Sequence, residues 1–211
     1  MRCPLCADKR TQPYHTDQRR DYRQCCNCRL VFVPKEQHLN DAQEKAEYDL
    51  HQNHIEDPGY RAFLSRLFLP MTAKLPPPAE GLDFGCGPGP ALARMFEEDG
   101  YKMQVYDKFY ANNTGVLARQ YDFISCTEVV EHLSQPGETL DSLFALIKPG
   151  GWLGVMTKLV IEKTAFARWH YKNDLTHINF FSRETFEYLA NHWGCGLEFV
   201  GKDVILMQKH Q

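Results

Sequence analysis

The chain has 211 residues, 43% of them hydrophobic and 24% charged, with a formal net charge of −3. That length holds one domain of ordinary size plus a small appendage, and it buries a core without disulfide staples. The composition excludes disordered and fibrous chains, and the overall charge gives no general attraction to nucleic acid. No stretch approaches the roughly 18 consecutive apolar residues of a membrane span, and Met-Arg-Cys-Pro opens no apolar leader, so a cytoplasmic protein without membrane association is expected.

Residues 1–34 are basic: Arg2, Lys9, Arg10, Arg19, Arg20, Arg23 and Arg29 oppose Asp8, Asp17 and Asp21. Such a face is either a footprint for RNA or an acidic partner, or a solvated surface beside anionic thiolates, and the second is preferred. Five of the eight cysteines lie between Cys3 and Cys28, a clustering that favours metal over disulfides. Cys3-Pro-Leu-Cys6 and Cys25-Cys26-Asn27-Cys28 each contain C-x-x-C, the spacing at which a tight turn brings two sulfurs to one ion. Four thiolates from Cys3, Cys6, Cys25 and Cys28 leave no open position, which suits a structural Zn²⁺. Cys26 has the wrong spacing, and His15 is a substitute that nothing requires. With strands at Tyr22–Gln24 and Leu30–Val33, the segment resembles a zinc ribbon.

Residues 35–78 read as a helical connector or lid. Apolar groups from Tyr60 to Phe68 recur at helical spacing, and Pro76-Pro77-Pro78 stops the helix. Tyr48, His51 and His54 are placed either over a ligand or on the surface.

From 79 to 211 the pattern is strand, glycine loop, helix. Gly85, Gly87 and Gly89 in Asp83-Phe-Gly-Cys-Gly-Pro-Gly-Pro90 allow positive φ and close approach of a nucleotide-like ligand. Pro90 takes the third glycine position of the dinucleotide fingerprint, and Pro88 and Pro90 remove N–H groups that a pyrophosphate needs, so a phosphate-free nucleoside fits better than NAD. Asp107 ends the next strand, Tyr101–Tyr106, 20 residues after Gly87, where a carboxylate grips ribose hydroxyls.

These residues, with Thr127-Glu128-Val-Val-Glu131-His132-Leu and Lys148-Pro-Gly150-Gly151, resemble class I S-adenosylmethionine-dependent methyltransferases, in the branch similar to the methylases of quinone biosynthesis, over roughly residues 48–209. The resemblance implies an α/β, Rossmann-like sheet, mostly parallel, closed by a C-terminal antiparallel hairpin at Gly196–Val200 and Val204–Gln208. By the same resemblance Asp83 and the loop Gly85, Cys86, Gly87 and Gly89 hold the methionine portion of S-adenosylmethionine. Asp107 meets the ribose, and Thr127 and Glu128 border the sulfonium; Lys108 and Phe109 join the candidate cofactor residues, Phe109 either stacking on adenine or packing as a core aromatic. S-adenosylhomocysteine is then the product. Only 13 residues separate Asp107 from Tyr121, replacing the usual helix, third strand and loop, so adenine recognition departs from the family.

A methyl group on a sulfonium is already activated, and a base is needed only when the acceptor carries a proton. His177, in an insert after the strand Trp152–Thr157, is the first candidate base and His132 the second; the other reading is that both only cap turns or bond to backbone carbonyls. Trp169, His170, Tyr171 and Phe180 shape an acceptor pocket or belong to the core. The expected function is methyl transfer to a small-molecule acceptor. The alternatives are an RNA or protein methyltransferase docked through the basic zinc segment, and a non-catalytic zinc-containing binding protein. The absence of an Asn-Pro-Pro-Tyr or Asp-Pro-Pro-Tyr run counts against methylation of nucleobase amino groups.

Overall fold

Residues 1–50 and 54–211 are described by a computed structural model; His51 lies outside them. Among the described residues no helix is long and apolar enough to cross a membrane.

The front segment forms the antiparallel hairpin β1 (Thr11–Thr16) and β2 (Asp21–Cys25), followed by the short β3 (Val31–Phe32). Left-handed Ala7 (φ 57°) and Arg29 (φ 64°) close the two cysteine turns. The hairpin does not stand alone. The free edge of β3 pairs with β8 (Asn179–Phe180), Val31 opposite Phe180, giving the order β1-β2-β3-β8. Phe166, Tyr171, Ile178 and Phe180 of the insert bury themselves against Tyr14, Tyr22, Val31 and Val33 of the front segment. A fully buried phenylalanine contributes roughly 2 kcal/mol, so the cluster is a real bond between the two parts. Arg20, 4% exposed, adds a polar clamp: its guanidinium donates to the carbonyls of Lys172 (2.5 Å), Asp174 (2.9 Å), Leu175 (3.0 Å) and His177 (3.0 Å).

The connector supplies α1 (Asp41–Tyr48), started by an Asn40 capping box, and α2 (Pro58–Lys74), capped by Asp57 with proline in its first turn. Leu64, Leu67 and Met71 are the buried side of α2. It lies so close to the main sheet that a Cβ on Gly154 would meet Met71 Sδ at 2.9 Å.

The main sheet contains β4 (Glu80–Phe84), β5 (Lys102–Tyr106), β6 (Tyr121–Thr127), β7 (Ile147–Met156), β9 (Gly196–Val200) and β10 (Val204–Gln208), in the order β5-β4-β6-β7-β10-β9. β5, β4, β6 and β7 are parallel; β10 runs antiparallel to β7 and to β9. This is the Rossmann-like sheet with a terminal hairpin expected above. Helices α3 (Ala91–Glu98), α4 (Pro136–Ala145), α5 (Lys163–Ala167) and α6 (Arg183–Trp193) complete the unit. Ser182 caps α6 through a capping box, and left-handed Gly194 ends it. β5 is an edge strand. In place of a neighbouring helix and strand, the short segment after it makes an Asp107–Ala111 bridge and a 3-10 turn over Thr114–Ala118.

Candidate active site

The carboxyl ends of β4, β5 and β6 lie side by side, where open α/β sheets hold ligands. After β4 the chain turns through Gly85 (φ 77°) and Gly87 (φ 64°), conformations that a side chain resists. A Cβ at Gly85 would sit 2.4 Å from Val129 Cγ2, whereas one at Gly87 would meet nothing within 4 Å. Gly85 is therefore a packing requirement, and Gly87 leaves bare backbone open to a ligand. Asp107 binds the loop from β5. One carboxylate oxygen accepts the Gly87 N–H (3.0 Å), and the other accepts those of Phe109 (2.8 Å) and Tyr110 (3.1 Å). Cys86 is buried, its thiol pushed up to about 12 by burial, and its Sγ faces the Gly87 carbonyl at 3.4 Å. The Gly89 carbonyl accepts the Ala91 N–H at the start of α3 (2.7 Å).

Asp83 is 4% exposed, accepts the Ser125 hydroxyl at 2.8 Å, and is also hydrogen-bonded by the backbone of Ala93 in the first turn of α3. Burial raises its pKa from 3.8 to about 6, against the pull of those bonds. The stability its neutral form contributes is fully present below pH 3.8 and is lost as pH rises through about 6. Between pH 4 and pH 7 the ligand-free protein should therefore lose roughly 3 kcal/mol relative to Asp83→Asn. Urea unfolding across that range measures it, and parallel pH curves for the two proteins would refute it.

β6 ends in Thr127, whose buried Oγ1 has no hydrogen-bond partner, and Glu128, held at φ 52°. A non-glycine residue there costs of order 1–3 kcal/mol, and the turn brings Glu128 alongside Glu131. Both carboxylates accept from the Tyr171 hydroxyl: Glu128 at 3.4 Å, and Glu131 through a very short bond. Thr157 Oγ1 lies 3.3 Å from the same hydroxyl. Glu131 is fully buried. Burial, reinforced by the Glu128 charge, pushes its pKa up to about 8, and burial raises that of Glu128 as well. Next to them, the His132 and His177 rings lie 4.7 Å apart, and the Tyr171 ring lies 4.1 Å from that of His177, tilted by 47°. Burial lowers the pKa of His177, opposed in part by Asp174. Both histidines turn Nδ1 toward a backbone carbonyl, His132 to Thr176 (3.1 Å) and His177 to Tyr171 (2.7 Å). Nδ1 thus carries the hydrogen and Nε2 the lone pair.

Helix α1 lies against this region. Lys108 pairs with Glu44 (2.6 Å) and sits 4.4 Å over the Phe109 ring, Tyr110 donates to Asp49 (2.6 Å), and Tyr48 lies 5.3 Å from His132 and 6.0 Å from Phe109. Phe109 therefore packs among Tyr48, Lys108 and Tyr110.

The four cysteines converge, with Cys3 Sγ to Cys28 Sγ and Cys6 Sγ to Cys25 Sγ both 3.5 Å and all four sulfurs within 4.8 Å. A tetrahedron with Zn–S near 2.3 Å has sulfurs about 3.8 Å apart, so the donor set fits zinc. Cys26 is exposed, and His15 packs its ring on Tyr22 and Phe166. Sequence reasoning did not assign roles to Glu131 or Arg20. The signal for Glu131 was an acid directly behind Val129 and Val130, because a carboxylate in an apolar run is seldom decorative.

Fold and site together define a class I methyltransferase architecture. Residues 51–198 match the methyltransferase-domain family, and the chain belongs to it. The ubiquinone biosynthesis O-methyltransferase of Actinobacillus pleuropneumoniae serotype 5b (strain L20) is 32% identical over 77 residues, 35% of this chain and 33% of that protein; the match spans about a third of the length of such relatives. The 1,6-didemethyltoxoflavin-N1-methyltransferase of Burkholderia thailandensis, solved with 1,6-didemethyltoxoflavin and S-adenosylhomocysteine bound, superposes with a TM-score of 0.54 over 95% of this chain and all of that one, at 15% identity. A SAM-dependent methyltransferase from Archaeoglobus fulgidus gives a TM-score of 0.54 at 17% identity, over 71% of this chain and 94% of that one. At these identities the shared property is the fold.

Proposed function

We propose that the chain transfers a methyl group from S-adenosylmethionine to a hydroxyl of a small-molecule acceptor. The observation that carries this reading is the meeting, at the carboxyl ends of β4, β5 and β6, of an open glycine loop, Asp107 and the Glu128–Glu131–His132–His177 cluster. Gly85, Cys86, Gly87 and Gly89, braced by Asp83, would hold the methionine portion. Asp107, with Lys108 and Phe109, would hold the nucleoside, and Thr127 and Glu128 would border the sulfonium. The cofactor supplies an activated methyl group. The protein's share is to hold the acceptor in line and to take its proton, for which the Nε2 lone pair of His177, and after it that of His132, is suited.

In this proposal residues 1–34 carry a structural zinc on Cys3, Cys6, Cys25 and Cys28 and brace the insert, residues 35–78 cover the site, and residues 79–211 bind cofactor. A small acceptor is favoured over RNA because part of the basic charge is spent internally: Arg20 is buried on carbonyls, Arg10 pairs with Asp8, and Arg23 bonds to Thr11.

Calorimetric titration with S-adenosylmethionine, S-adenosylhomocysteine and NAD tests the reading. Micromolar binding of the two sulfur nucleosides and none of NAD is expected. Failure of both sulfur nucleosides to bind would favour a non-catalytic binding protein.

A further inference from the structure

At the carboxyl end of β7 a cation stands without an anion. The Glu128 N–H donates to the Met156 carbonyl (2.8 Å), so Lys158, two residues on, emerges beside the Glu128 turn. Its ammonium lies 5.0 Å over the Tyr171 ring and 3.5 Å from His170 Nε2, and among the described residues it makes no ion pair. Arg66, the other cation whose charge reaches Glu128, is spent on Asp203. Lys158 is half-buried and His170 exposed. Two nitrogens therefore converge at the open side of the insert, at the outer limit of hydrogen-bond distance from each other and with no oxygen between them.

From these contacts we infer that Lys158 and His170 form a carboxylate-binding site that selects the methyl acceptor, an inference that deepens the methyl-transfer reading and rests on it. The aromatic face beneath Lys158 holds the ammonium in place and leaves its three N–H donors to a further partner. A carboxylate bridging Nζ and Nε2 gives each nitrogen an acceptor, and the bond to the ammonium is charge-assisted. The position suits an acceptor. The Tyr171 ring under Lys158 also lies 4.1 Å from the His177 ring, so the ammonium and the candidate base flank one side chain. Trp169, 5.0 Å from Tyr171, extends the aromatic wall along which a flat molecule would lie. Such a molecule offers its hydroxyl to His177 and its acid group to Lys158. One ammonium matches the single charge of a carboxylate, whereas a doubly charged phosphate would also meet repulsion from Glu128. The acceptor class narrows accordingly to hydroxylated carboxylic acids. If Lys158 served only to offset the Glu128 charge, its loss would act alike on charged and neutral acceptors.

The test is calorimetric titration of the zinc-loaded protein, in excess S-adenosylhomocysteine, with 4-hydroxyphenylacetate and with its neutral amide, 4-hydroxyphenylacetamide. S-adenosylhomocysteine binding is measured on the same samples. Wild type should bind the acid at least about 10-fold more tightly than the amide. Lys158→Met should weaken the acid by on the order of 10- to 100-fold and leave the amide unchanged, Lys158→Arg should restore most of the acid's affinity, and His170→Ala should cost less than Lys158→Met. An acid that binds wild type no more tightly than the amide, or equal weakening of both by Lys158→Met, overturns the carboxylate site; where S-adenosylhomocysteine still binds, the methyl-transfer reading survives that failure. Selective binding of the acid, lost in Lys158→Met, by a protein that does not bind S-adenosylhomocysteine upholds the site and overturns the methyl-transfer reading instead.

Discussion

Removing zinc from the four-cysteine cluster, or replacing Cys28 by serine, is expected to loosen the acceptor side of the site together with the first thirty residues. Read as a sequence, the ribbon is a separable unit whose loss spares residues from about Lys35 onward. The shared sheet and core change that expectation. Cys25 and Cys28 sit in one buried cluster with Val130, Phe181, Phe186 and Leu189. A Cβ on Gly137 would fall 2.2 Å from the Leu5 carbonyl, and the Gly137 N–H reaches the Pro4 carbonyl (3.2 Å), so the first cysteine turn is seated on the start of α4. Arg20 holds the very loop that presents His177. Zinc binding in such modules is folding free energy, about 10 kcal/mol or more in isolated zinc-finger peptides. Losing even about 5 kcal/mol would lower Tm by roughly 10–20 °C for a chain of this size. Chelation should give one coupled unfolding transition, with Trp169 fluorescence in the insert moving alongside far-ultraviolet ellipticity, and turnover should fall with it. An unchanged Tm and unchanged turnover after zinc removal would show that the front segment is a passenger.

Wherever chemistry is carried by residues close in sequence, the chain announces its structure. The glycine loop, the strand end at Asp107 and the hairpin of Gly196–Val200 with Val204–Gln208 are local signals, and each forms where expected, because a turn is decided by its own few residues. The convergence of the cysteine pairs was legible from their spacing. The pairing of β3 with β8 was not: two residues, Val31 and Phe32, meet Asn179 and Phe180 far along the chain, too short for any periodicity and too distant for any local rule. Arg20 looked like solvated surface charge because nothing adjacent to it in sequence reveals four carbonyls on the insert. Glu131 and Tyr171 were visible as residue types, but their mutual burial exists only once the insert folds back over the end of β6. The candidate acceptor site was thus half legible: its cofactor half is local, and its acceptor half is tertiary.

If Asp107 holds the ribose as proposed, Asp107→Ala should weaken S-adenosylhomocysteine binding by about 100-fold or more, through the loss of charge-assisted hydrogen bonds to two hydroxyls. The carboxylate does two things at once, however, because it also holds the N–H groups of Gly87, Phe109 and Tyr110. Asp107→Asn separates these contributions: the amide keeps one acceptor oxygen for the loop but surrenders the charge, so it should fall between wild type and alanine. His177→Ala stands on the other side of the division. Its ring lies with His132, Tyr171 and Glu131, so on the proposed assignment the nucleoside dissociation constant should stay nearly unchanged while kcat drops by roughly 10²- to 10⁴-fold, the span of a lost proton acceptor. Measured side by side, the two substitutions must split along cofactor affinity and turnover. If both lower affinity equally, the loop and the histidine cluster are one mechanical unit, and the assignment of cofactor to one and acceptor to the other fails.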